Sequence, residues 1–213
     1  MKIILTGATG MVGEGVLFHC LDSKEVEKLL IINRKHLELK HPKLEELIVS
    51  DFNNLADYSD VLKGYDGCFY CAGVSSVGMN EENYTRITYT TTLNFAKVLL
   101  EINPKMVFDF VTGTHTNTTG KQMWQRVKGK TEDELMKLGF RGQYNFRPGF
   151  MKPVKGQKNI KSIFKPIFAV FPLLFPKQSL TLHEVGQAMI NSVSKGFSKQ
   201  VLEIKDIKTL AEV

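Results

Sequence analysis

Short apolar runs alternate with stretches of helical spacing along the first 150 residues. Residues 2–6 are apolar and break into glycine, and residues 12–21 then repeat apolar positions at the three- and four-residue interval of a helix. Further apolar runs at 29–33, 47–49 and 67–72 read as strands, and the charged stretch 58–63 predicts a short helix between the last two. A longer helix is expected over 82–102, with Ile87, Leu93, Phe95, Ala96, Leu99 and Leu100 on one broad face and Pro104 beyond its end. Residues 105–111 and 143–147 are strands, the second closed by Pro148-Gly149, and 124–138 lies between them as a helix. After residue 180, Thr181 and Glu184 form a capping-box pattern that opens an amphipathic helix to 194, and 201–204 ends the series as a strand. Strands alternating with helices imply parallel strand–helix–strand units, so the pattern predicts an α/β fold with a doubly wound, mostly parallel sheet. A single domain over 1–213 follows from the length and the short connections, with 150–182 as a small lid or substrate-side segment.

The first strand and helix are joined by Thr6-Gly7-Ala8-Thr9-Gly10-Met11-Val12-Gly13. Glycines at this G-x-x-G-x-x-G spacing allow a tight turn, a close approach of backbone to a pyrophosphate, and close packing of helix on strand. The helix then presents free N–H groups and a positive dipole end to the anion. This makes the expected architecture a Rossmann fold and a dinucleotide the expected ligand, with Gly7, Thr9, Gly10, Met11, Val12 and Gly13 at the phosphates. The second strand ends Asn33-Arg34-Lys35, where an NAD site usually carries an acid for the ribose hydroxyls. Arg34, helped by Lys35, suits a 2′-phosphate, so NADP is expected in preference to NAD.

Charge and cysteine content add less. The net charge of +6 is concentrated: no acid lies between Glu134 and Glu184, while Lys137, Arg141, Arg147, Lys152 and five further lysines do. Such a half can face an anionic small molecule or lipid, or be a solvated surface. No nucleic-acid module accompanies it, so nucleic acid is not an expected partner. Cys20, Cys68 and Cys71 offer no disulfide framework and suit a reducing compartment, and with no developed leader segment the cytoplasm is the default expectation. Cys68 and Cys71 have redox spacing, but they sit in a strand-like run without a helix N-terminus to lower a thiol pKa, and are read as structural. No His/Cys/Asp/Glu group has metal-ligand spacing, so no metal is expected.

Taken with the glycine loop, Ser50-Asp51-Phe52, Cys71-Ala72-Gly73 and Arg147-Pro148-Gly149 after successive strands make the chain resemble the short-chain dehydrogenase/reductase family. The similarity is to its atypical, extended, epimerase-like group, including bacterial nucleoside-sugar epimerase-like proteins, and covers nearly the whole chain. It implies that Asp51, with Phe52 beside it, meets the adenine, that Cys71, Ala72 and Gly73 lie along the adenosine ribose, and that Arg147, Pro148, Gly149 and Phe150 approach the nicotinamide. Family chemistry uses a Ser or Thr after the fifth strand and a Tyr-x-x-x-Lys on the next helix, where the tyrosine exchanges a proton and the lysine lowers its pKa and holds the nicotinamide ribose. Thr112 is the closest match for the hydroxyl, with Thr114 second, and Lys128 matches the lysine. Trp124 stands in the tyrosine's place, and an indole N–H does not release its proton near neutral pH. His115 is the leading substitute donor, with Tyr84, Tyr89 and Tyr144 behind it.

The resemblance thus implies an oxidoreductase or epimerase-like enzyme on a small carbonyl or sugar-like substrate. The alternative is a catalytically silent NADP-binding protein that regulates a partner. Residues 151–177 carry Phe164, Phe168, Phe171 and Phe175 among lysines and four prolines. A substrate lid, a peripheral membrane foot and a protein-contact surface stay open for this segment. Either a monomer or a homodimer is compatible with these features.

Overall fold

A computed structural model describes residues 1–158, 175 and 178–213. Its strands are β1 (Lys2–Thr6), β2 (Lys28–Asn33), β3 (Leu44–Ile48), β4 (Gly67–Tyr70), β5 (Val107–Val111), β6 (Gly142–Phe146), β7 (Phe150–Lys152), β8 (Ser179–Thr181) and β9 (Val201–Leu202). Seven of them form one parallel sheet in the order β3-β2-β1-β4-β5-β6-β9, and β7 pairs with β8 in a separate two-stranded sheet. The helices are α1 (Met11–Asp22), α2 (Glu81–Thr85), α3 (Thr91–Ile102), α4 (Met123–Leu135), α5 (Leu182–Ser194) and α6 (Ile204–Ala211). The chain winds outward from β1 to β2 and β3, then crosses back to β4 on the other side of β1. That reversal opens a crevice at the carboxyl ends of β1 and β4, where sheets of this kind bind ligands.

Alternation along each strand feeds two cores. Ile3 and Leu5, Leu29 and Ile31, and Phe69 pack on the face covered by α1, α5 and α6. Their neighbours Ile4, Leu30, Ile32, Cys68, Tyr70, Phe108 and Phe110 pack on the opposite face with Leu93, Phe95, Ala96 and Leu99 of α3. The period of two thus places an apolar residue in a core at every step, as a sheet covered on both faces requires. Full burial of each such side chain contributes roughly 1.5–3 kcal/mol relative to exposure. Asp109 interrupts this pattern in β5: it is fully buried and meets the Ser192 hydroxyl of α5 at 2.8 Å.

The capping box at α5 forms as the sequence predicts, with Glu184 N–H donating to Thr181 Oγ1 at 3.1 Å and Thr181 N–H to Glu184 Oε2 at 2.6 Å. Three predicted elements differ, and one is the helix over 82–102, which is α2 and α3 joined by a π-helical turn at Arg86–Thr90. Instead of a helix over 58–63, a 3-10 helix spans Phe52–Tyr58, started by the Asp51 carboxylate accepting from Asn53 N–H at 2.9 Å. The closing strand stops at Leu202, and the chain turns into α6, which buries Ile207 and Leu210 against the first core.

Within the expected lid segment, residues after β7 are tied back to the start of α1. Gln157 Nε2 donates to the Met11 carbonyl at 2.7 Å and Lys158 N–H to Glu14 Oε1 at 2.9 Å. Phe164, Phe168 and Phe171 lie outside the described residues, while Phe175 is exposed. Among the described residues no helix is long and apolar enough to cross a membrane.

Candidate functional site

The crevice at the β1–β4 switch point is a cleft of about 620 Å³. Gly7, Thr9 and Gly10 form its floor, Asn33 and Arg34 one end, and Ala72 and Gly73 the opposite wall after β4. The loop geometry requires its glycines. Gly7 has φ +72°, and a Cβ there would stand 2.5 Å from the Cys71 carbonyl oxygen. A Cβ on Gly13 would stand 2.1 Å from the Gly7 carbonyl oxygen, so this residue closes the turn from behind. Gly10 differs: its Cβ would meet only the Gly7 oxygen, at 3.4 Å, and would otherwise occupy open space. Gly10 is also the N-cap of α1 and supplies no capping side chain, so the helix N-terminus is left to an anion. A flat glycine floor beneath an uncapped helix end fits the diphosphate of a dinucleotide. Gly7, Thr9 and Gly10 are the residues that would hold it.

Around the cleft, Asp51, Phe52, Cys71 and Lys128 also contribute to the walls. Met11, Val12 and Gly13 do not; they form the first turn of α1 behind the loop. Lys35 points to solvent beyond the cleft's end. Residues not singled out as site residues in the sequence line it too: Asn53 in the 3-10 helix, Val74 in a loop, Tyr70 and Phe110 at strand ends, and Arg86, Ile87, Thr88 and Thr91 where α2 passes into α3. The strand-end residues follow from the fold, but nothing local marks the α2–α3 group as cleft-lining.

Lys128 Nζ donates to the Thr112 carbonyl at 3.1 Å. Burial lowers its pKa, and the carboxylate of Glu132 one turn along α4 opposes that shift. The Thr112 side chain does not face the cleft as a catalytic hydroxyl should. Its hydroxyl donates to Glu132 Oε1 at 2.6 Å and lies 3.2 Å from the Phe146 carbonyl, because a buried carboxylate on α4 competes for the proton. Glu132 also takes both arms of Arg147, Nε at 3.1 Å and Nη2 at 2.5 Å, and Arg147 Nη1 reaches Glu203 at 3.1 Å. Arg147 is therefore a clamp between β6, α4 and α6 rather than a wall of the dinucleotide cleft.

Arg147, Gly149 and Phe150 line a second cavity of about 660 Å³ with Thr114, His115, Gln178, Glu203 and Ile204. Pro148 joins neither cavity; its carbonyl accepts from Thr114 N–H at 3.4 Å. His115 is exposed, has φ +68°, and sits in this second cavity, apart from the one lined by Lys128. The other candidate donors do not reach either cavity. Tyr84 is buried, Tyr89 packs against the second core, and the Tyr144 hydroxyl accepts from Phe197 N–H at 2.9 Å. Trp124 is half-buried on α4 and lines neither cavity.

Tyr70 does line the cleft, but burial pushes its phenol up to about 12, and it is packed among Phe95, Phe108 and Phe110. Burial likewise raises the Cys68 and Cys71 thiols, which leaves both protonated near neutral pH and poor nucleophiles. Among the described residues no cluster of three or more His, Cys, Asp or Glu could hold a metal ion.

Comparison with known proteins agrees with this geometry. The model of the NAD dependent epimerase/dehydratase family matches residues 3–125, more than half of the chain. A curated relative from Meyerozyma guilliermondii, "Protein FMP52, mitochondrial", is 24% identical over 152 residues, covering 71% of this chain and 65% of its own length. The match thus spans less than two thirds of that relative. Among solved structures, a short chain dehydrogenase/reductase from Saccharomyces cerevisiae superposes with a TM-score of 0.70 at 14% identity, covering 99% of this chain and 98% of that one. The Bordetella bronchiseptica enzyme WbmF, solved in complex with NAD+, gives 0.67 at 15% identity, covering 99% and 76%. At these identities the superpositions establish the fold.

One expectation is overturned here. The cytoplasmic default rested on cysteine content and the lack of a developed leader, and relatives from three fungi all carry names that place them in mitochondria. Three reduced cysteines are common to many compartments and could not have distinguished them. The glycine-floored cleft, the switch-point topology and the family match lead to one assignment: this chain belongs to the NAD dependent epimerase/dehydratase family.

Proposed function

We propose that this chain is an NADP-dependent oxidoreductase or epimerase-like enzyme acting on a small carbonyl or sugar-like substrate. The observation that supports the choice of NADP is the end of β2. Arg34 lines the cleft there, and the nearest carboxylate of the neighbouring strand, Glu46, is turned to other donors. Asn33 Nδ2, His36 Nδ1 and the Leu37 N–H all bond to it, so it is not available to ribose hydroxyls. An arginine at the end of β2, where an NAD site usually carries an acid, favours a 2′-phosphate over a bare diol.

A bound dinucleotide would supply hydride transfer. The protein's part is to seat the diphosphate on Gly7–Gly10, to hold the nicotinamide ribose through Lys128, and to provide a proton. Lys128 is the cleft-lining group on α4 that carries a transferable proton, and its burial makes the ammonium a stronger acid than a solvated lysine. The second cavity, with Thr114, His115 and Gln178, is the substrate-side space in this reading. A catalytically silent NADP-binding role is the second reading. It is favoured by two observations: the Thr112 hydroxyl is engaged by Glu132, and a tryptophan occupies the usual tyrosine position.

Trp124 is the only tryptophan of the chain and stands one helical turn from the cleft-lining Lys128, so its emission reports NADPH binding through energy transfer to the reduced nicotinamide rather than by contact. Micromolar NADPH binding with at least about tenfold weaker NADH binding is the expected result, reversed in Arg34→Glu. Absence of binding to both dinucleotides would sink the proposal. Trp124→Tyr then separates the two readings with a panel of aldehydes, ketones and nucleotide sugars: raised NADPH turnover favours the enzyme, and no turnover in either form favours the silent role.

A further inference from the structure

The passage from α2 to α3 is not a continuous α-helix. Residues Arg86–Thr90 make a π-helical turn, closed by the Thr91 N–H on the Arg86 carbonyl and reinforced by the Thr91 hydroxyl on the same oxygen at 3.0 Å. A π-turn inserts one residue into the helical register and is found frequently at functional sites. Here Arg86, Ile87, Thr88 and Thr91 all line the dinucleotide cleft, as Arg34 does. Arg86 is exposed and forms no ion pair or side-chain hydrogen bond among the described residues. Two acids head its own helix: Glu81 is taken by Arg126 at 2.8 Å, and Glu82, four residues before Arg86, forms no ion pair with it. One carboxylate lines this end of the cleft, Asp51, and it is held by the backbone N–H and the side-chain amide of Asn53, each at 2.9 Å.

Two guanidinium groups thus line one cleft from separate elements, Arg34 from the end of β2 and Arg86 from the π-turn. We infer that Arg86 is a second specificity-determining residue for the cofactor: together with Arg34 it recognises the 2′-phosphate of NADP, and the π-turn exists to aim it. The inference rests on the NADP reading above and deepens it. A dianionic phosphate offers three acceptor oxygens, enough for forks from two arginines, whereas the corresponding hydroxyl of NAD offers one uncharged oxygen.

The test measures dissociation constants for NADP+, NAD+ and 2′,5′-ADP with wild type, Arg86→Ala, Arg86→Lys and Arg34→Ala at one fixed ionic strength. In Arg86→Ala, NADP+ and 2′,5′-ADP should each bind about tenfold more weakly, with NAD+ changed less than about twofold. Arg86→Lys keeps the charge without the fork and should recover part of that loss. Because Arg86 is exposed, the substitution should leave the thermal midpoint unchanged, which separates binding from folding. Wild type without a preference for NADP+ over NAD+ overturns the cofactor reading and this inference with it. A wild-type preference that survives in Arg86→Ala overturns the inference alone. Equal losses for NADP+ and NAD+ also overturn it, since they assign Arg86 to the adenosine shared by both.

Discussion

Glu132→Ala is the substitution that tests whether Thr112 and Arg147 are framework rather than site. Glu132 is 1% exposed on α4, accepts the Thr112 hydroxyl, and forms a two-armed pair with Arg147. Removing one partner of a buried pair costs about 3–5 kcal/mol, because the other charge stays buried and unpaired. Two features reduce that here. Arg147 is 19% exposed and keeps Glu203 at 3.1 Å, and the Thr112 hydroxyl can turn to the Phe146 carbonyl at 3.2 Å. We therefore expect a loss of about 2–3 kcal/mol, which for a domain of this size lowers the thermal midpoint by roughly 5–10 °C. Glu132→Gln keeps an acceptor for Thr112 and a neutral bond to Arg147, and should lose about half as much. In urea titrations the midpoint should fall with little change in slope, since the surface exposed on unfolding is unaltered. A double-mutant cycle with Arg147→Met should give a coupling of about 1–3 kcal/mol. Glu132→Gln should also leave NADPH affinity within about twofold of wild type, because Glu132 does not line the cleft. A loss below about 0.5 kcal/mol for Glu132→Ala, the range of ordinary surface changes, would refute the clamp.

Two further outcomes follow from particular contacts. Gly10→Ala should preserve the thermal midpoint and weaken NADPH binding at least about tenfold, since its Cβ enters the open floor of the cleft, whereas Gly13→Ala should lower both because its Cβ overlaps the Gly7 carbonyl; calorimetry and fluorescence titration on the same samples check the contrast. Burial raises the Asp109 carboxyl well above its ordinary range, so the folded chain keeps a proton that the unfolded chain releases above about pH 4. Stability from this group is fully present below the unfolded pKa and is lost as pH rises through the folded one, and Asp109→Asn should flatten that decline and raise the midpoint at neutral and alkaline pH. The geometry favours the protonated form independently: the single Ser192 hydroxyl proton faces both Met189 O at 2.6 Å and Asp109 Oδ2 at 2.8 Å, and serves the former only if Asp109 donates. Urea midpoints from pH 5 to 9 that fall equally in both proteins would remove Asp109 as the cause.

What could be read from the chain and what could not divides by the distance over which the cause acts. Ile3, Ile4 and Leu5 announce a two-faced strand because burial on both sides demands apolar residues at consecutive positions, a purely local condition. The glycine loop is legible for the same reason: the clash that forbids a side chain at Gly13 comes from Gly7, six residues away. Helix α6 left a trace in the spacing of Ile204, Ile207 and Leu210, but eight residues are too few for that period to stand out against a strand ending. Thr112 was read as a catalytic hydroxyl because the family motif places it after β5. Its actual partner is set by Glu132 on the next helix, itself fixed by Arg147 from the following strand. No local pattern encodes a three-member bond between residues 112, 132 and 147; it exists only once β5, α4 and β6 have packed. Arg86 is hidden in the same way, since its place at the cleft depends on one extra residue in a helical turn that propensity does not register. The glycine cradle and Arg34 are thus written locally, while the bond that occupies Thr112 and the place of Arg86 at the cleft are assembled across elements. That is where substitutions must be made to learn what the cleft does.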